Sequence, residues 1–200
     1  MIYVLIGRHM TGFCKSQSYK FNPRSIDHLQ QALCGKHLDI SCGLKPVAAV
    51  VNFIRNHRQF QAFLEEMDSN FCNLPYYTEV RWLSCGKVLF RFYKLRRKIG
   101  LFLTEKNTAD SQLSDPSWLS KLSFLVNITS HMNELNLKLQ GKNYLICDLY
   151  RNITSFRGEL SLFEVQLEVG NFSHCQCFQE FCTQNVEHVN LKFQKKLFGS

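Results

Sequence analysis

The sequence predicts a mainly α-helical protein, because three long segments of it are amphipathic. Between residues 84 and 169, apolar side chains recur at steps of three and four, the spacing that places them on one face of a helix. Two of these segments, 115–140 and 143–169, have a very short connection, so we expect a long antiparallel hairpin that packs against the segment 84–106. At most one short strand is expected, near the N-terminus.

The N-terminal residues 2–38 contain the patterns of one short strand and one helix. Residues 2–6 are β-branched or aromatic and end at Gly7, a pattern typical of a buried strand. Residues 13–24 are polar and irregular. Ser25 can then cap a helix that continues to Leu38.

The next helix is expected to begin at Pro46, because proline suits a first helical turn. One face of this single helix collects Val47, Val50, Ile54, Phe60, Leu64 and Met67. Residues 68–78 contain several helix breakers and predict a loop.

The central helix is predicted over residues 84–106, with Ser84 as its N-cap. Its apolar stripe consists of Val88, Phe92, Leu95, Ile99 and Phe102. Beside this stripe, a basic face consists of Lys87, Arg91, Lys94 and Lys98, and no acidic residue lies between Glu79 and Glu105. Two interpretations fit this face: cations that only meet water, or a surface that binds phosphates.

Two further helices form the predicted hairpin. Asp115 and Pro116 favour a helix start, and Gly141 favours its end. The first stripe is Trp118, Leu122, Leu125, Ile128, Met132, Leu135 and Leu139. The second is Leu145, Leu149, Ile153, Phe156, Leu160, Phe163 and Leu167, with Gly170 after it. A last, weaker helix is expected from about Cys177 to Leu197.

Composition favours a globular protein with anionic partners. The 200 residues have 45% hydrophobic content and a formal charge of +8. The nine cysteines are scattered, which indicates reduced thiols of an intracellular protein, and the sequons at Asn127, Asn152 and Asn171 would matter only in a secreted one. We expect no signal peptide, membrane span, cofactor or small-molecule substrate.

Two groups of cysteine and histidine contain the residue types that bind zinc. They are His28, Cys34, His37 and Cys42, and His174, Cys175, Cys177, Cys182 and His188. Neither spacing matches a known zinc template, so packing is the favoured interpretation and no metal site is predicted.

Several motifs together resemble the hAT-superfamily transposases. The segment Thr78-Glu-Val-Arg-Trp-Leu-Ser84 is followed by Gly-Lys-Val-Leu and Arg-Phe, and colinear matches occur at residues 30–36, 51–60, 115–119 and 133–143. The similar branch is the one that gave rise to domesticated vertebrate genes, such as the type 2 general transcription factor II-I repeat proteins and several BED- and SCAN-domain proteins. The resemblance covers residues 5–175.

The resemblance implies a catalytically degenerate RNase H-like protein. A catalytic aspartate of the family would fall at Leu5, and the family's Cys-x-x-His pair would fall at Ile26 and Leu29. The other two catalytic carboxylates have no counterpart, so the protein is not expected to be an enzyme. The implied domains are a core remnant at 1–24, an all-helical insertion domain at 25–170 and a helical tail at 171–200.

The function expected first is non-catalytic DNA binding by a transposase-derived protein. The predicted contacts are Arg81, Trp82, Lys87, Arg91, Lys94 and Lys98. The family's Trp at the place of Trp82 is linked to handling of an unstacked base, but the favoured interpretation of Trp82 is that it anchors the start of its helix in the core. The alternatives are a helical scaffold for protein partners, an active nuclease, or a decaying fragment without a selected function. The resemblance favours a nuclear over a cytoplasmic location.

Overall fold

The computed structural model describes residues 40–56, 59–67, 82–108, 111–139 and 146–185. Within these ranges the backbone forms six α-helices and one 3₁₀ turn, and no strand. The helices are α1 (Ile40–Asn56), α2 (Gln59–Glu66), α3 (Trp82–Glu105), α4 (Pro116–Leu139), α5 (Ile146–Glu168) and α6 (Gln176–Gln184); the 3₁₀ turn is Ser111–Ser114. The mainly helical prediction is confirmed here, whereas the strand at 2–6 and the helix at 25–38 lie outside the described residues.

The chain divides into two compact units, one of which consists of Ile40–Ser130. This unit contains α1, α2, α3 and the part of α4 that ends at Ser130. The described part of the other unit begins at His131 and contains the rest of α4 together with α5 and α6. The division into domains at 1–24, 25–170 and 171–200 stays a prediction.

The first helical region differs from the prediction in two ways. Helix α1 begins at Ile40, so that Pro46 lies inside it, and a separate helix α2 follows where one continuous helix was expected. A proline inside a helix removes one hydrogen bond and its ring crowds the carbonyl four residues earlier, but the neighbouring residues can remain helical at that cost. Met67 is 38% exposed, because it follows the end of α2 and does not extend its buried face.

Hydrogen bonds define how α3 ends and how α4 begins. Asn107 has a left-handed φ of 53°, and the N–H of Thr108 donates to the carbonyl of Leu103 over 2.9 Å. This is the Schellman arrangement that closes a helix. At the start of α4, the N–H of Ser117 donates to Oδ1 of Asp115 over 2.9 Å, which confirms the predicted cap. Helix α3 begins two residues before the predicted cap, Ser84.

Helix α4 is more deeply buried than one apolar stripe predicts. All seven predicted stripe positions are buried, but so is every residue from 122 to 129. The polar residues in this segment donate to carbonyls of their own helix: Asn127 Nδ2 to Ser123 over 2.9 Å, and Thr129 Oγ1 to Leu125 over 2.9 Å. Such internal bonds satisfy the side-chain donors, so these residues can lie in the core.

Helix α5 buries the described part of its predicted stripe, from Ile153 to Leu167. Gly170 ends it with a φ of 77°, and the N–H of Asn171 donates to the carbonyl of Gln166 over 2.8 Å. The rings of His131 in α4 and Phe163 in α5 have centroids 4.8 Å apart, so the two helices touch at this level. The full-length hairpin stays a prediction. Helix α6 is described only to Gln184.

Candidate nucleic-acid interface

Helix α3 is the candidate interface, because it buries one side and presents cations on another. The predicted apolar stripe, Val88, Phe92, Leu95, Ile99 and Phe102, is buried throughout. The core also includes residues that the prediction left out: Cys85, Leu89, Tyr93 and Leu103. The buried side of α3 is therefore wider than one stripe, and the exposed side is correspondingly narrow.

Aromatic contacts fix the rotation of α3 about its own axis. Phe92 meets Trp118 of α4 edge to face, with ring centroids 6.3 Å apart. Further along, Phe102 meets Phe60 and Phe63 of α2 at 5.0 and 5.4 Å. Pairs of this kind contribute beyond the area that they bury. Because the buried side is held near its middle, at Phe92, and near its C-terminal end, at Phe102, the set of side chains that faces solvent is determined.

The basic face does not point outward uniformly. Lys87 and Lys94 are exposed, whereas Arg91 and Lys98 are half-buried. Helix α3 contains no acidic residue before Glu105, so it has no anion of its own within the first 23 of its 24 residues. This excess of positive charge on one helix is the main electrostatic feature of the candidate interface.

Arg96 and Lys98 of α3 make hydrogen bonds to backbone carbonyls of the protein. The Arg96 guanidinium lies over the Tyr93 ring at 4.1 Å and donates to the Tyr93 carbonyl over 2.8 Å. Lys98 Nζ donates to the carbonyl of Met67 over 2.8 Å, just beyond the end of α2. A cation at a helix C-terminus is favourable because the helix dipole is negative there. This geometry favours a structural role for Lys98, and its predicted part in DNA binding stays a prediction.

A second lysine holds the opposite end of α2. Lys106 Nζ donates to Oε1 of Gln59, the first residue of α2, over 2.6 Å. Gln59 and Met67 are eight residues apart, as are Lys98 and Lys106, and eight residues of helix span about 12 Å. The two lysines therefore hold α2 antiparallel to α3 at both of its ends.

The most exposed line along α3 mixes cations with apolar side chains. Its members, which we call the exposed seam, are Lys87, Phe90, Lys94, Arg97 and Leu101, at successive spacings of three and four residues. All five are exposed, Phe90 to 37% and Leu101 to 55%. The Lys94 ammonium lies 5.8 Å from the centre of the Phe90 ring, within range of a cation–π interaction.

Sequence reasoning missed three members of the exposed seam. Phe90, Arg97 and Leu101 follow Lys87 at helical spacing, so the same periodicity that grouped the basic face would have included them. The remaining predicted contacts are at the start of the helix. Arg81 lies outside the described residues, and Trp82 begins α3 without a described side chain, so both interpretations of this tryptophan remain open.

The cysteines and histidines near α6 are packing groups in this structure. Cys175 and Cys177 are buried, and the ring of His174 stacks on Phe163 with centroids 4.5 Å apart. His131 Nε2 lies 2.8 Å from the carbonyl of His174, to which it donates. Across the described ranges, no three His, Cys, Asp or Glu side chains are grouped so that they could hold a metal ion.

Burial disfavours the thiolate form of two cysteines, Cys85 and Cys182. Cys85, Cys147 and Cys182 form no disulfide bond. Burial raises the pKa of the Cys85 thiol to about 12, and burial also raises the pKa of Cys182 against an opposing backbone hydrogen bond. A nucleophilic cysteine needs a lowered pKa, so these two thiols are unsuited to that role.

None of the described helices has the length and apolarity that crossing a lipid bilayer requires. The family model for the FAM200/GTF2IRD2 helical domain matches residues 26–168, a range that includes all of α1 to α5. No solved structure matches the chain.

Two curated relatives match most of the chain. General transcription factor II-I repeat domain-containing protein 2 of Bos taurus is 32% identical over 180 residues, which are 84% of this chain. The protein of the same name from Mus musculus is 34% identical over 181 residues, which are 88% of this chain. In both comparisons the match spans only 19% of the relative, so this chain corresponds to about one fifth of those proteins.

Proposed function

Because the chain belongs to the FAM200/GTF2IRD2-like family, we propose that it is a non-catalytic, transposase-derived protein that binds DNA through α3. The observation that supports this most is the line of exposed cations Lys87, Lys94 and Arg97 on a helix with no acidic residue before Glu105. Phosphate contacts supply most of the affinity of non-specific DNA binding. A transposase origin, with the helical region as the insertion domain of an RNase H-like fold, is part of the proposal.

We expect no catalysis, because this chain has a leucine where the transposases that it resembles have a catalytic carboxylate. Two-metal phosphoryl transfer needs acidic side chains to hold both ions, and leucine at position 5 cannot replace one. We expect purified protein with magnesium or manganese neither to nick DNA nor to join strands. Metal-dependent cleavage that copurifies with the protein through stringent purification would contradict this part of the proposal.

A salt titration of duplex binding tests the DNA interface. If three cations contact phosphates, the slope of log affinity against log salt should be about −2.7, at −0.9 for each contact. The double variant Lys87→Ala, Lys94→Ala should make this slope shallower by about 1.8 and weaken binding nearly equally on all sequences.

A charge-matched control separates the interface from net charge. Lys45→Ala with Lys138→Ala removes two exposed lysines from α1 and α4, so it lowers the charge equally and should leave the slope nearly unchanged. Equal effects of both double variants would show that α3 is not the interface. No binding at about 50 mM salt, where phosphate contacts are strong, would remove the DNA proposal.

A helical scaffold for protein partners is the second candidate, and α5 provides a specific observation for it. Leu162 and Val165 of α5, and Val169 just beyond its end, are exposed to between 52% and 75% and follow one another at three and four residues. Apolar side chains that line one side of a helix are typical of contacts between helices. A chain that binds no DNA but associates through this side of α5 would favour the scaffold.

We further propose a nuclear location. The relatives are named as proteins with general transcription factor II-I repeats, and a DNA-binding role would place this chain beside chromatin. Imaging of the tagged chain tests this proposal. Exclusion from the nucleus would contradict it without affecting the binding experiments.

A further inference from the structure

Resting on the DNA-binding function proposed above, we propose that the exposed seam binds single-stranded DNA, with an unpaired base stacked on Phe90. Lys87, Lys94 and Arg97 would then contact the phosphates on either side of that base. The inference depends on how the seam combines a ring with cations, which neither the family match nor the names of the relatives address.

Phe90 lies between two exposed lysines of the seam. It follows Lys87 by three residues and precedes Lys94 by four, so it lies between two exposed ammonium groups on one side of the helix. Its ring is 37% exposed, although the neighbouring Leu89 is fully buried and the core of α3 does not require a ring at position 90. The Lys94 ammonium lies 5.8 Å from the ring centre, so a cation and an aromatic surface are presented together.

The chemistry of this combination selects unpaired nucleotides. In a duplex the bases are stacked inside, so phosphate contacts would leave Phe90 and Leu101 without a partner. A single strand offers a phosphate and the flat face of a base at the same time, and stacking of a base on an aromatic side chain tolerates every base. The seam provides both kinds of group from Lys87 to Leu101, a separation of 14 residues that spans about 21 Å of helix.

Two other occupants fit the seam less well. A helix that lies on an anionic membrane needs a broad apolar face toward the lipid, and the broad apolar face of α3 is buried in the protein. An acidic helix of a partner protein could follow the spacing of three and four residues, but it would leave the Phe90 ring opposite carboxylates. Single-stranded DNA matches the cations and the ring together.

The experiment compares binding of one protein to two probes by fluorescence anisotropy. The probes are a labelled oligothymidylate and a labelled GC-rich blunt duplex that stays paired under the assay conditions, both in about 50 mM salt. We expect the single strand to bind more tightly. We also expect a salt slope of about −0.7 for each phosphate contact on the single strand, against −0.9 on the duplex.

Substitutions at Phe90 provide the specific test. Phe90→Ala should lower affinity for the single strand about tenfold, because one stacking contact is lost, and should change duplex affinity less than about twofold. Phe90→Leu keeps an apolar side chain of similar volume but no ring, so it should show the same loss. Phe90→Trp should retain binding, and its fluorescence should be quenched by the single strand. Thermal melting of each variant checks that the fold is intact.

The outcomes separate this inference from the proposed function. Duplex binding as tight as single-strand binding, or an equal effect of Phe90→Ala on both, would overturn the inference and leave DNA binding in place. If neither probe binds, both proposals fail, and binding to vesicles that contain anionic phospholipid or to an acidic helical peptide would identify the competing occupant. A single-strand preference that disappears in Phe90→Ala and Phe90→Leu but persists in Phe90→Trp supports the inference.

Discussion

Helices α3 and α4 have the same length of 24 residues, but they use polar side chains in opposite ways. Six of the residues in α3 are lysine or arginine, and its exposed seam holds three of them in contact with solvent. In α4, residues 122–129 are all buried, and the polar side chains among them donate to carbonyls of the same helix. Helix α3 thus exposes charged groups to solvent, whereas α4 buries polar groups.

This difference shows why polarity alone does not identify an interface. Asn127 and Thr129 are polar, but their donors are satisfied within α4 and water does not reach them. One carbonyl of the same helix does not fully satisfy a charged side chain, because an ammonium or guanidinium needs water, an anion or several acceptors. Arg96, which donates to the Tyr93 carbonyl of α3, remains partly exposed. Binding is therefore expected where charged side chains are exposed. Rigidity is expected where polar side chains hydrogen-bond within their own helix.

The largest expected effect comes from placing a charge at a buried position of α4. Leu125 is 7% exposed, and Leu125→Asp should lower the free energy of unfolding by about 3–5 kcal/mol, because an unpaired carboxylate would be buried. Leu137 in the same helix is 66% exposed, so Leu137→Asp should change stability by less than about 0.5 kcal/mol. Urea denaturation measures both. Similar losses for the two variants would mean that α4 is not a core helix.

A smaller effect is expected from the lysine that joins α3 to α2. Lys98→Ala removes the hydrogen bond to the Met67 carbonyl and a cation at the end of α2, and should cost about 1 kcal/mol. For Lys98→Ala, the slope of log affinity for DNA against log salt should stay close to the parent value. For Lys94→Ala, the same slope should differ more from the parent value. Lys94→Ala should in turn cost little stability. The reverse pattern would make Lys98, and not Lys94, the phosphate contact.

Alkaline pH should weaken the buried side of α3 through Cys85. The thiol has a pKa of about 12 in the folded chain against 9.0 as its ordinary value, so the folded state holds the proton more tightly than the unfolded state. The stability associated with this thiol is therefore complete below pH 9 and is lost as pH rises toward 12. Denaturation between pH 8 and 10.5 should show a smaller decline for Cys85→Ala than for the parent chain. If stability declines equally with pH in Cys85→Ala and in the parent chain, the Cys85 thiol is not the cause.

The smallest effect is expected at Thr129. Its hydroxyl contacts the carbonyls of Leu125 and Val126 at 2.9 and 3.0 Å. Thr129→Val keeps the side-chain shape and leaves those carbonyls to the backbone, so stability should change by less than about 1 kcal/mol. Thermal melting measures it. A loss of several kcal/mol of stability would show that the hydroxyl stabilises the fold and does not only satisfy its own hydrogen-bonding capacity.

The sequence predicted α3, α4 and α5 well because each repeats its apolar residues over several turns. Every predicted stripe position with described burial in these helices is buried. The same rule failed for Met67, where the helix ends, and at Pro46, which lies inside α1 although proline usually marks a first turn. Local spacing thus defines the middle of a helix better than its ends.

The candidate interface was predicted only in part, and the reason is tertiary. Periodicity groups Lys87, Arg91, Lys94 and Lys98, but it does not reveal which side of that group meets solvent. The carbonyl that Lys98 contacts is 31 residues away in sequence, so the local pattern contains no sign of it. The outward shift of the exposed seam toward Phe90 and Arg97 depends on which side chains α2 and α4 cover.

The eight-residue helix α2 depends on α3 for its existence. Isolated helices shorter than about 12 residues are marginal in water, so α2 should form only when its Phe60 and Phe63 meet Phe102 and the two lysines reach its ends. In folding, α2 should therefore be acquired late and lost early. Its amide protons should exchange with solvent through an undocking step that leaves α3 protected, and Lys106→Ala should accelerate that exchange in α2 alone.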